Sequence, residues 1–381
     1  MKFVFFSAQY LPTIGGVERF NHNLARTLIN QGHQVTIVAS QLPGVADRAV
    51  DQGLEILRVP SWPVMGGRYP LPKPTRAFRA MMAPVWQGEI DLALINTRFW
   101  PLSVYAARAC RRRGVPAIML EHGSDFIAFD NPVVNAISHL YERIVAKITH
   151  RAVPAFYAVS KLAGQWLKTF GIQATGTLYN AVDPVAIKRE LAEGGEDIRA
   201  GYGLPKTSQI VVYLGRLLAE KGIYQLLEAM KTVRQACPEA VLLIAGEGPM
   251  GDELAALRQD GVLFLGGLSH PQALGLLSQA TIFCLPTYYP EGFPTVVLEA
   301  AAVGTFIVTT PVGGTPELLG EDEDNGLVPL RDTPALAAML IKALSDPSWR
   351  AAVIARTSAK LEAEFTWAKT AEHLVEIAQK G

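Results

Sequence analysis

The sequence has few cysteines, no long hydrophobic run and no excess of one charge. Its 381 residues include three cysteines, Cys110, Cys237 and Cys284, whose wide spacing fits neither a disulfide framework nor a metal site. Reduced and mostly buried thiols are therefore expected. Apolar runs such as FVFF stop well short of the roughly 18 residues that a membrane-spanning helix needs. No small-residue cleavage site follows the N-terminal run. These absences predict a cytoplasmic protein without a membrane span.

The charge is balanced over the whole chain but unevenly distributed. Residues 1–180 contain 19 Lys and Arg and 10 Asp and Glu, a net charge of +9, whereas residues 181–381 contain 16 and 25, a net charge of −9. This asymmetry indicates that the first half faces something anionic, and a membrane surface or a phosphate-bearing acceptor both fit. Unrelated surface compositions of two domains are the alternative. Nucleic acid is not an expected partner.

Strand-length apolar segments alternate with helical patterns along most of the chain. The first half contains KFVFFSA, HQVTIVAS, DLALINT and PAIMLEH, and the pattern restarts after residue 205 with QIVVYLG, AVLLIAGEG, VLFLGG, TIFCLPT and FIVTTPV. Such alternation is typical of parallel sheets covered by helices on both faces. We therefore expect two doubly wound α/β domains, with the charged and glycine-rich stretch 179–208 as the hinge. Ligands of such domains bind beyond the carboxyl ends of the strands.

Two glycine-bearing loops follow strands and carry groups suited to phosphate. Gly15 and Gly16 open a helix, where free backbone N–H groups and the helix dipole suit an anion, although a purely structural turn fits equally well. Arg216 ends a strand and Lys221 follows five residues later, so this pair can neutralise a diphosphate without a metal. Solvated surface charges are the alternative for the pair.

A third loop contains Gly246, Glu247 and Gly248 after a buried strand. Glycines there would let a flat base approach the backbone, and a simple strand-to-helix turn is the equal alternative.

The stretch PEGFPTVVLEA, residues 290–300, predicts a helix that starts at Pro294. Proline has no N–H, so a phosphate at this helix start would be held by the amides of Thr295 and Val296, with the Thr295 hydroxyl. Glu299 suits two vicinal hydroxyls, as acidic residues do with ribose in dinucleotide sites. An exposed carboxylate is the alternative, but its apolar neighbours disfavour that.

Two further features concern a histidine and an acidic run. His122 follows a strand of the first domain, with Asp125 three residues later, and a functional and a structural role are equally compatible with this position. The run Asp322-Glu323-Asp324 precedes an Asn-Gly turn. It is interpreted as a solvated loop, and no metal is expected.

The order and spacing of these loops resemble the family-four retaining glycosyltransferases. The motifs are the Gly15-Gly16 loop, EHGSD at 121–125, LYNAVD at 178–183, LGR with KG at 214–222, GEGP at 246–249 and EGFP with Glu299. The resemblance covers nearly the whole chain. It implies a GT-B fold, in which two facing Rossmann-like domains enclose a deep cleft. It also implies an acceptor-binding domain at 1–182, a nucleotide-sugar-binding domain at 183–365 and a helix at about 366–381 that returns to the first domain.

The resemblance also implies roles for individual residues. Arg216 and Lys221 correspond to the pair that holds the donor diphosphate, and His122 and Glu291 to residues near the transferred sugar. Gly16 and Glu299 are the other implied donor contacts. The loops themselves add the donor candidates Gly246, Glu247, Gly248, Phe293, Pro294, Thr295 and Val296, and the acceptor candidates are Gly15, Arg68, Tyr69 and Asp125. Many members of the family carry glycine where this chain has Pro294.

The implied reaction is transfer of a hexose, such as mannose or glucose, from a nucleoside-diphosphate sugar to a hydroxyl, with retention and without a metal or other cofactor. The acceptor is expected to be a glycan or lipid-linked molecule of cell-envelope polysaccharide or glycolipid synthesis. The basic and aromatic segment 61–82 suits anionic lipid headgroups, so peripheral contact with the inner face of the cell membrane is expected. A nucleotide-sugar epimerase or hydrolase of the same fold and a non-catalytic binding protein remain as alternatives.

Overall fold

The computed structural model describes residues 1–13, 15–67, 69–126, 131–192, 197–320 and 325–380. The acceptor candidate Arg68 and the acidic run 322–324 lie outside these residues. The two units into which the chain divides are residues 1–180 with 367–380 (unit 1) and residues 181–366 (unit 2). The expected domain boundaries were 182/183 and 365/366.

Strands and helices alternate along both units. The strands are β1 (Lys2–Phe6), β2 (Gln34–Ser40), β3 (Arg48–Asp51), β4 (Leu54–Val59), β5 (Ser61–Val64), β6 (Tyr69–Pro72), β7 (Leu92–Asn96), β8 (Ala117–Glu121), β9 (Phe156–Ala158), β10 (Gly176–Thr177), β11 (Gln209–Leu214), β12 (Ala240–Ala245), β13 (Val262–Gly266), β14 (Ile282–Leu285) and β15 (Phe306–Thr309). The helices are α1 (Gly16–Asn30), α2 (Arg76–Met82), α3 (Pro101–Arg113), α4 (Pro132–Ala152), α5 (Lys161–Trp166), α6 (Pro184–Ala192), α7 (Ile198–Gly201), α8 (Ile223–Ala236), α9 (Gly251–Ala256), α10 (His270–Gln279), α11 (Thr295–Ala302), α12 (Thr315–Leu319), α13 (Thr333–Ser345), α14 (Pro347–Glu364) and α15 (Trp367–Lys380).

The main sheet of unit 1 has the strand order β10-β9-β8-β7-β1-β2-β4-β3. Its strands pair in parallel except β3, which is antiparallel to β4. β1 is buried from Phe3 to Phe6, as expected for a parallel strand covered on both faces. The chain order reverses between β1 and β7, so the switch point where doubly wound sheets bind ligands lies at the carboxyl ends of these two strands.

Helix α15 completes unit 1 by packing against α1. The Trp367 ring meets the Phe20 ring edge-on, with centroids 5.4 Å apart. Ala371 and Leu374 of α15 are fully buried. The last helix of the chain therefore belongs to the same core as the first one.

The sheet of unit 2 has the order β13-β12-β11-β14-β15 and is parallel throughout. Its switch point lies between β11 and β14, which pair at Val211 with Ile282. The prediction of two doubly wound α/β units is thus confirmed. The stretch 179–208, expected to be a hinge, contains α6 and α7 of unit 2. Ile187 anchors α6 because its side chain is buried.

None of the helices that the structure describes combines the length and apolarity needed to cross a membrane. Cys110 and Cys284 are buried free thiols, and Cys237 is a half-buried one.

Candidate active site

The loop between β11 and α8 carries the two predicted phosphate-binding cations. Arg216 is exposed two residues beyond the end of β11, and its guanidinium has no partner among the described residues. The Arg216 carbonyl oxygen accepts a 2.8 Å hydrogen bond from the Tyr213 hydroxyl, which holds the loop to the strand. Lys221 ends a 3₁₀ turn just before α8. Both cations thus lie on the loop that leaves the carboxyl end of β11.

Lys221 forms an ion pair with Glu291, which follows the neighbouring strand β14. The two side chains are only 13% and 15% exposed, and Lys221 Nζ lies 5.1 Å from the centroid of the Tyr289 ring. Gly222 permits this approach of the two loops. It has φ +79°, and a Cβ there would lie 2.0 Å from the Pro286 carbonyl oxygen. The structure therefore brings Lys221 and Glu291 together at the switch point of unit 2.

The glycines after β12 pack against the same loop. A Cβ on Gly246 would lie 1.9 Å from the Gly215 carbonyl oxygen, and one on Gly248 would lie 2.5 Å from that of Leu217. The exposed Glu247 accepts a 2.8 Å hydrogen bond from the Leu217 amide through its carbonyl oxygen. Backbone packing thus accounts for both glycines, and a nucleotide base on this loop stays a prediction.

Helix α11 begins one residue later than expected. Pro294 is its N-cap, with φ −65° and an extended ψ of 114°, and its carbonyl oxygen accepts the first helical hydrogen bond from Val297. Within the described part of the chain, the amides of Thr295 and Val296 have no hydrogen-bond partner. These two N–H groups are the donors that an anion at this helix start would use.

Phe293 was expected to contact the donor, but its ring lies in the core of unit 2. The side chain is 6% exposed and meets the Phe365 ring edge-on, with centroids 5.4 Å apart. Apolar burial therefore accounts for the phenylalanine.

Glu299 lies in a cluster with His270 and Glu190 that was not predicted from the sequence. Its Oε1 is 3.2 Å from His270 Nε2, and His270 Nδ1 is 3.4 Å from Glu190 Oε1. The hydrogen bond to Glu299, more than the charge of either carboxylate, raises the pKa of His270 above its usual value. Glu299 is only 14% exposed, and the hydrogen bond from the histidine offsets part of the cost of removing its carboxylate from water. Glu299, the residue predicted to bind ribose, thus already has a side-chain partner within the protein.

The half-buried His122 joins a hydrogen-bond network of unit 1 whose asparagines, Asn96 and Asn21, are buried. Its Nε2 lies 2.8 Å from Asn96 Oδ1, while Asn96 Nδ2 donates to the Phe6 carbonyl oxygen and to Asn21 Oδ1. These donor contacts of Asn96 make its Oδ1 the acceptor that faces the histidine, so His122 carries its proton on Nε2 and keeps Nδ1 as an acceptor. Burial lowers the pKa of His122 to about 3. The ring is therefore neutral at physiological pH.

The start of α1 lies beside His122. Gly15 is the N-cap of α1 and Gly16 its first residue, and the Phe20 ring meets the His122 ring edge-on at 5.0 Å. A Cβ on Gly15 would lie 2.4 Å from Glu18 Oε2, so the carboxylate folds back over the cap. Burial raises the pKa of Glu18. The structure thus brings Gly15, Gly16 and His122 to one edge of unit 1, together with a buried carboxylate that was not predicted.

The described acceptor candidates Tyr69 and Asp125 make different contacts. The Tyr69 hydroxyl lies 2.5 Å from the Tyr141 hydroxyl, and both are within hydrogen-bond distance of the Phe99 carbonyl oxygen. Asp125 is exposed, and its Oδ1 accepts a 2.7 Å hydrogen bond from the Phe126 amide. Tyr69 therefore links β6 to α4, whereas Asp125 stabilises the turn after His122.

A buried ionic cluster supports the strand that precedes His122. Arg98 pairs with Glu121 at the end of β8 and, at 2.7 Å, with Glu142 of α4. All three side chains are 1% exposed, and the guanidinium lies 3.9 Å from the centroid of the Phe170 ring. This cluster joins the segment just after β7 to β8 and α4, next to the histidine, and no sequence pattern predicted it.

Of the residues with described positions, no three His, Cys, Asp or Glu side chains are arranged to hold a metal ion. Metal-independent catalysis stays a prediction.

Two family models match the chain, one for each half. The model for Glycosyltransferase Family 4 covers residues 14–185, and that for Glycosyl transferases group 1 covers residues 195–360.

Known proteins resemble the chain over most of its length. TuaC of Bacillus subtilis, assigned to teichuronic acid biosynthesis as a glycosyltransferase, is 30% identical over 85% of this chain and 80% of its own. A GDP-mannose-dependent mannosyltransferase of Corynebacterium glutamicum is 29% identical over 97% of this chain and 95% of its own. That enzyme acts on a monoacylated phosphatidylinositol monomannoside. Sucrose-phosphate synthase of Thermosynechococcus elongatus superposes over 100% of this chain and 98% of its own, with a TM-score of 0.76 and 21% identity. The chain therefore belongs to the group 1 glycosyltransferases with a GT-B fold, as its loops implied.

Proposed function

We propose that the protein transfers a hexose from a nucleoside-diphosphate sugar to a hydroxyl of a glycan or lipid-linked acceptor, with retention of configuration. The observation that carries the proposal is the pair of cations beyond β11, where Arg216 is unpartnered among the described residues and Lys221 is held by Glu291. Fixed positive charge at a switch point suits a diphosphate. Unit 2 is the donor-binding unit in this proposal, and unit 1 binds the acceptor.

The arrangement favours electrostatic catalysis over a covalent double displacement. Glu291 forms an ion pair with Lys221, which leaves this carboxylate poorly suited to attack a sugar carbon. In the proposed reaction the bond between the anomeric carbon and the diphosphate oxygen breaks while the cations stabilise the leaving diphosphate. The acceptor hydroxyl attacks from the same face and gives its proton to that oxygen. The neutral His122, with Nδ1 as acceptor, suits a hydroxyl of the transferred sugar.

The relatives support a role in building the cell envelope. TuaC belongs to teichuronic acid biosynthesis, and the corynebacterial relative uses GDP-mannose and a lipid acceptor. We propose a corresponding role on the cytoplasmic side of the membrane, in synthesis of an envelope polysaccharide or glycolipid and without a metal cofactor.

The test is transfer of labelled sugar from a panel of UDP- and GDP-sugars into a membrane lipid extract. The donor is chosen first by thermal shift, because a ligand of the folded state raises Tm. Arg216→Ala and Lys221→Ala should each lower turnover by about 10²–10³-fold. Lys231→Ala is the matched control, since Lys231 is 59% exposed on α8 of the same unit. NMR of the product's anomeric signal checks retention.

Near-normal turnover in both alanine variants would exclude the assigned role of the cations. Nucleotide release without acceptor, at a rate equal to full turnover, would instead indicate a hydrolase or epimerase. Tight donor binding without any transfer would indicate a non-catalytic protein.

A further inference from the structure

Helix α4 has an exposed apolar face. Val133, Ile137, Leu140 and Ile144 are 64%, 64%, 60% and 51% exposed, and their spacing of four, three and four residues places them on one side of the helix. Val134 and Tyr141 widen the same stripe. The opposite side packs into unit 1 through the buried residues Glu142, Val145, Ala146 and Thr149. Large apolar side chains exposed in a contiguous stripe indicate an interaction site.

The hairpin of β5 and β6 continues this face. Trp62, Val64 and Met65 at the hairpin are exposed. Tyr69 of β6 and Tyr141 of α4 join the two elements, because their hydroxyls are 2.5 Å apart and share the Phe99 carbonyl oxygen. We call the exposed apolar residues of α4 and of this hairpin the α4–hairpin surface.

The exposed charges of α4 and of the segment 61–82 are positive. The one acidic residue of α4 is Glu142, which is buried against Arg98, whereas Arg143, Lys147 and Arg151 are exposed. The segment 61–82 contains no Asp or Glu but carries the exposed Arg76 and Arg79. It also carries Lys73, whose Nζ lies 5.8 Å from the centroid of the Trp62 ring. Exposed apolar groups bordered by cations and an aromatic side chain match the chemistry of an anionic bilayer surface.

We infer that the α4–hairpin surface docks on an anionic lipid bilayer, with the apolar stripe entering the headgroup boundary and the flanking cations meeting lipid phosphates. A second copy of the chain fits less well, because a symmetric contact would place like charges opposite one another. The inference deepens the proposed function, on which it rests for its biological meaning, by naming the surface that meets the membrane holding the acceptor. It moves the main contact from the segment 61–82 to α4.

The ionic cluster below α4 suits this role. Glu142 ties the inner side of the helix to Arg98 and, through it, to Glu121 at the end of β8. A helix that is already ordered loses little conformational freedom on docking, so more of the apolar burial contributes to binding.

The test is co-sedimentation of the full chain with phosphatidylcholine vesicles, with and without phosphatidylglycerol. The wild-type protein should bind more strongly as phosphatidylglycerol increases, and salt should weaken binding. Ile137→Ser with Leu140→Ser should lower the partition coefficient by about tenfold or more. The matched control, Val50→Ser with Val185→Ser, removes two valines that are 74% and 66% exposed elsewhere, and it should bind like the wild type. Arg143→Gln with Lys147→Gln should reduce the dependence on phosphatidylglycerol.

Equal Tm values of these variants will show that the fold is intact. Vesicle binding that does not increase with phosphatidylglycerol, or that is unchanged by the Ile137 and Leu140 substitutions, would overturn the inference. A wild-type dimer in light scattering that the same substitutions convert to a monomer would also overturn it, since a second copy would then occupy the surface. Vesicle binding needs no catalysis, so binding without transfer would refute the proposed function alone. Transfer without vesicle binding would refute the docking alone.

Discussion

His270 Nε2 lies 3.2 Å from Glu299 Oε1, although the two residues are 29 positions apart and lie on different helices, α10 and α11. Since the pKa of His270 is raised in the folded protein, its protonated form stabilises the fold. This contribution is present below the ordinary histidine pKa, near 6.5, and is lost as pH rises through the raised value.

His270→Gln should therefore lower Tm relative to the wild type near pH 6 and have little effect near pH 9. Differential scanning calorimetry across this range checks the prediction. Glu190→Gln should act in the same direction but less strongly, because Glu190 lies farther from the ring, at 3.4 Å. A Tm difference of equal size at every pH would show that the histidine acts by packing alone.

Gly16→Ala should weaken donor binding without lowering the stability of the fold. A Cβ on Gly16 meets no atom within 4 Å and the residue is the first of α1, so Tm should not fall. If the Gly16 amide approaches a phosphate, the methyl group should hinder the donor and raise its KM. Gly246→Ala is the contrasting variant, because its φ of +144° and the nearby Gly215 oxygen should cost about 1–3 kcal/mol of stability. Unchanged donor KM in Gly16→Ala would remove Gly16 from the phosphate site.

His122 should make the protein sensitive to acid. Its pKa is about 3 in the folded state and near 6.5 in the unfolded state, so the unfolded chain binds an extra proton between these values. Stability should therefore decrease as pH falls below about 6.5, by about 1.4 kcal/mol per pH unit at most from this residue. Denaturant unfolding at several pH values should show that the free energy of unfolding depends less steeply on pH in His122→Asn than in the wild type. An identical pH dependence in both proteins would contradict a neutral His122 in the folded protein.

Arg98→Met should be strongly destabilising. It leaves Glu121 and Glu142, both 1% exposed, without their shared cation, and breaking a buried pair in this way costs about 3–5 kcal/mol. Arg108→Met on the exposed side of α3 is the control and should change little. Urea unfolding followed by circular dichroism measures both variants. A small loss of stability in Arg98→Met would mean that the two carboxylates become protonated or hydrated at little cost in free energy.

The strands could be predicted from sequence because each unit has a parallel sheet that is buried on both faces. Segments such as FVFF in β1 and VLLIA in β12 are therefore continuous apolar runs that differ sharply from the amphipathic helices between them. The positions of Arg216 and Lys221 beyond a buried strand could be predicted for a related reason. Loops after such strands converge at one edge of the sheet, and glycine and charge identify them.

Contacts between distant segments could not be predicted in the same way. His270 looks like an ordinary residue at the start of α10 until the fold brings Glu299 and Glu190 to it. Phe293 shows the converse, because its motif position predicts a ligand contact, whereas its ring packs on Phe365. The apolar stripe of α4 does have a sequence signal, its spacing of four and three residues, but only exposure distinguishes it from a core-facing stripe.

The return of α15 to unit 1 has a consequence for synthesis of the chain on the ribosome. Unit 2 is one continuous stretch, whereas Phe20 in α1 packs on Trp367, close to the end of the chain. Unit 2 can therefore complete its packing before α15, which completes unit 1, has been synthesised. Premature release would leave the apolar side of α1 uncovered.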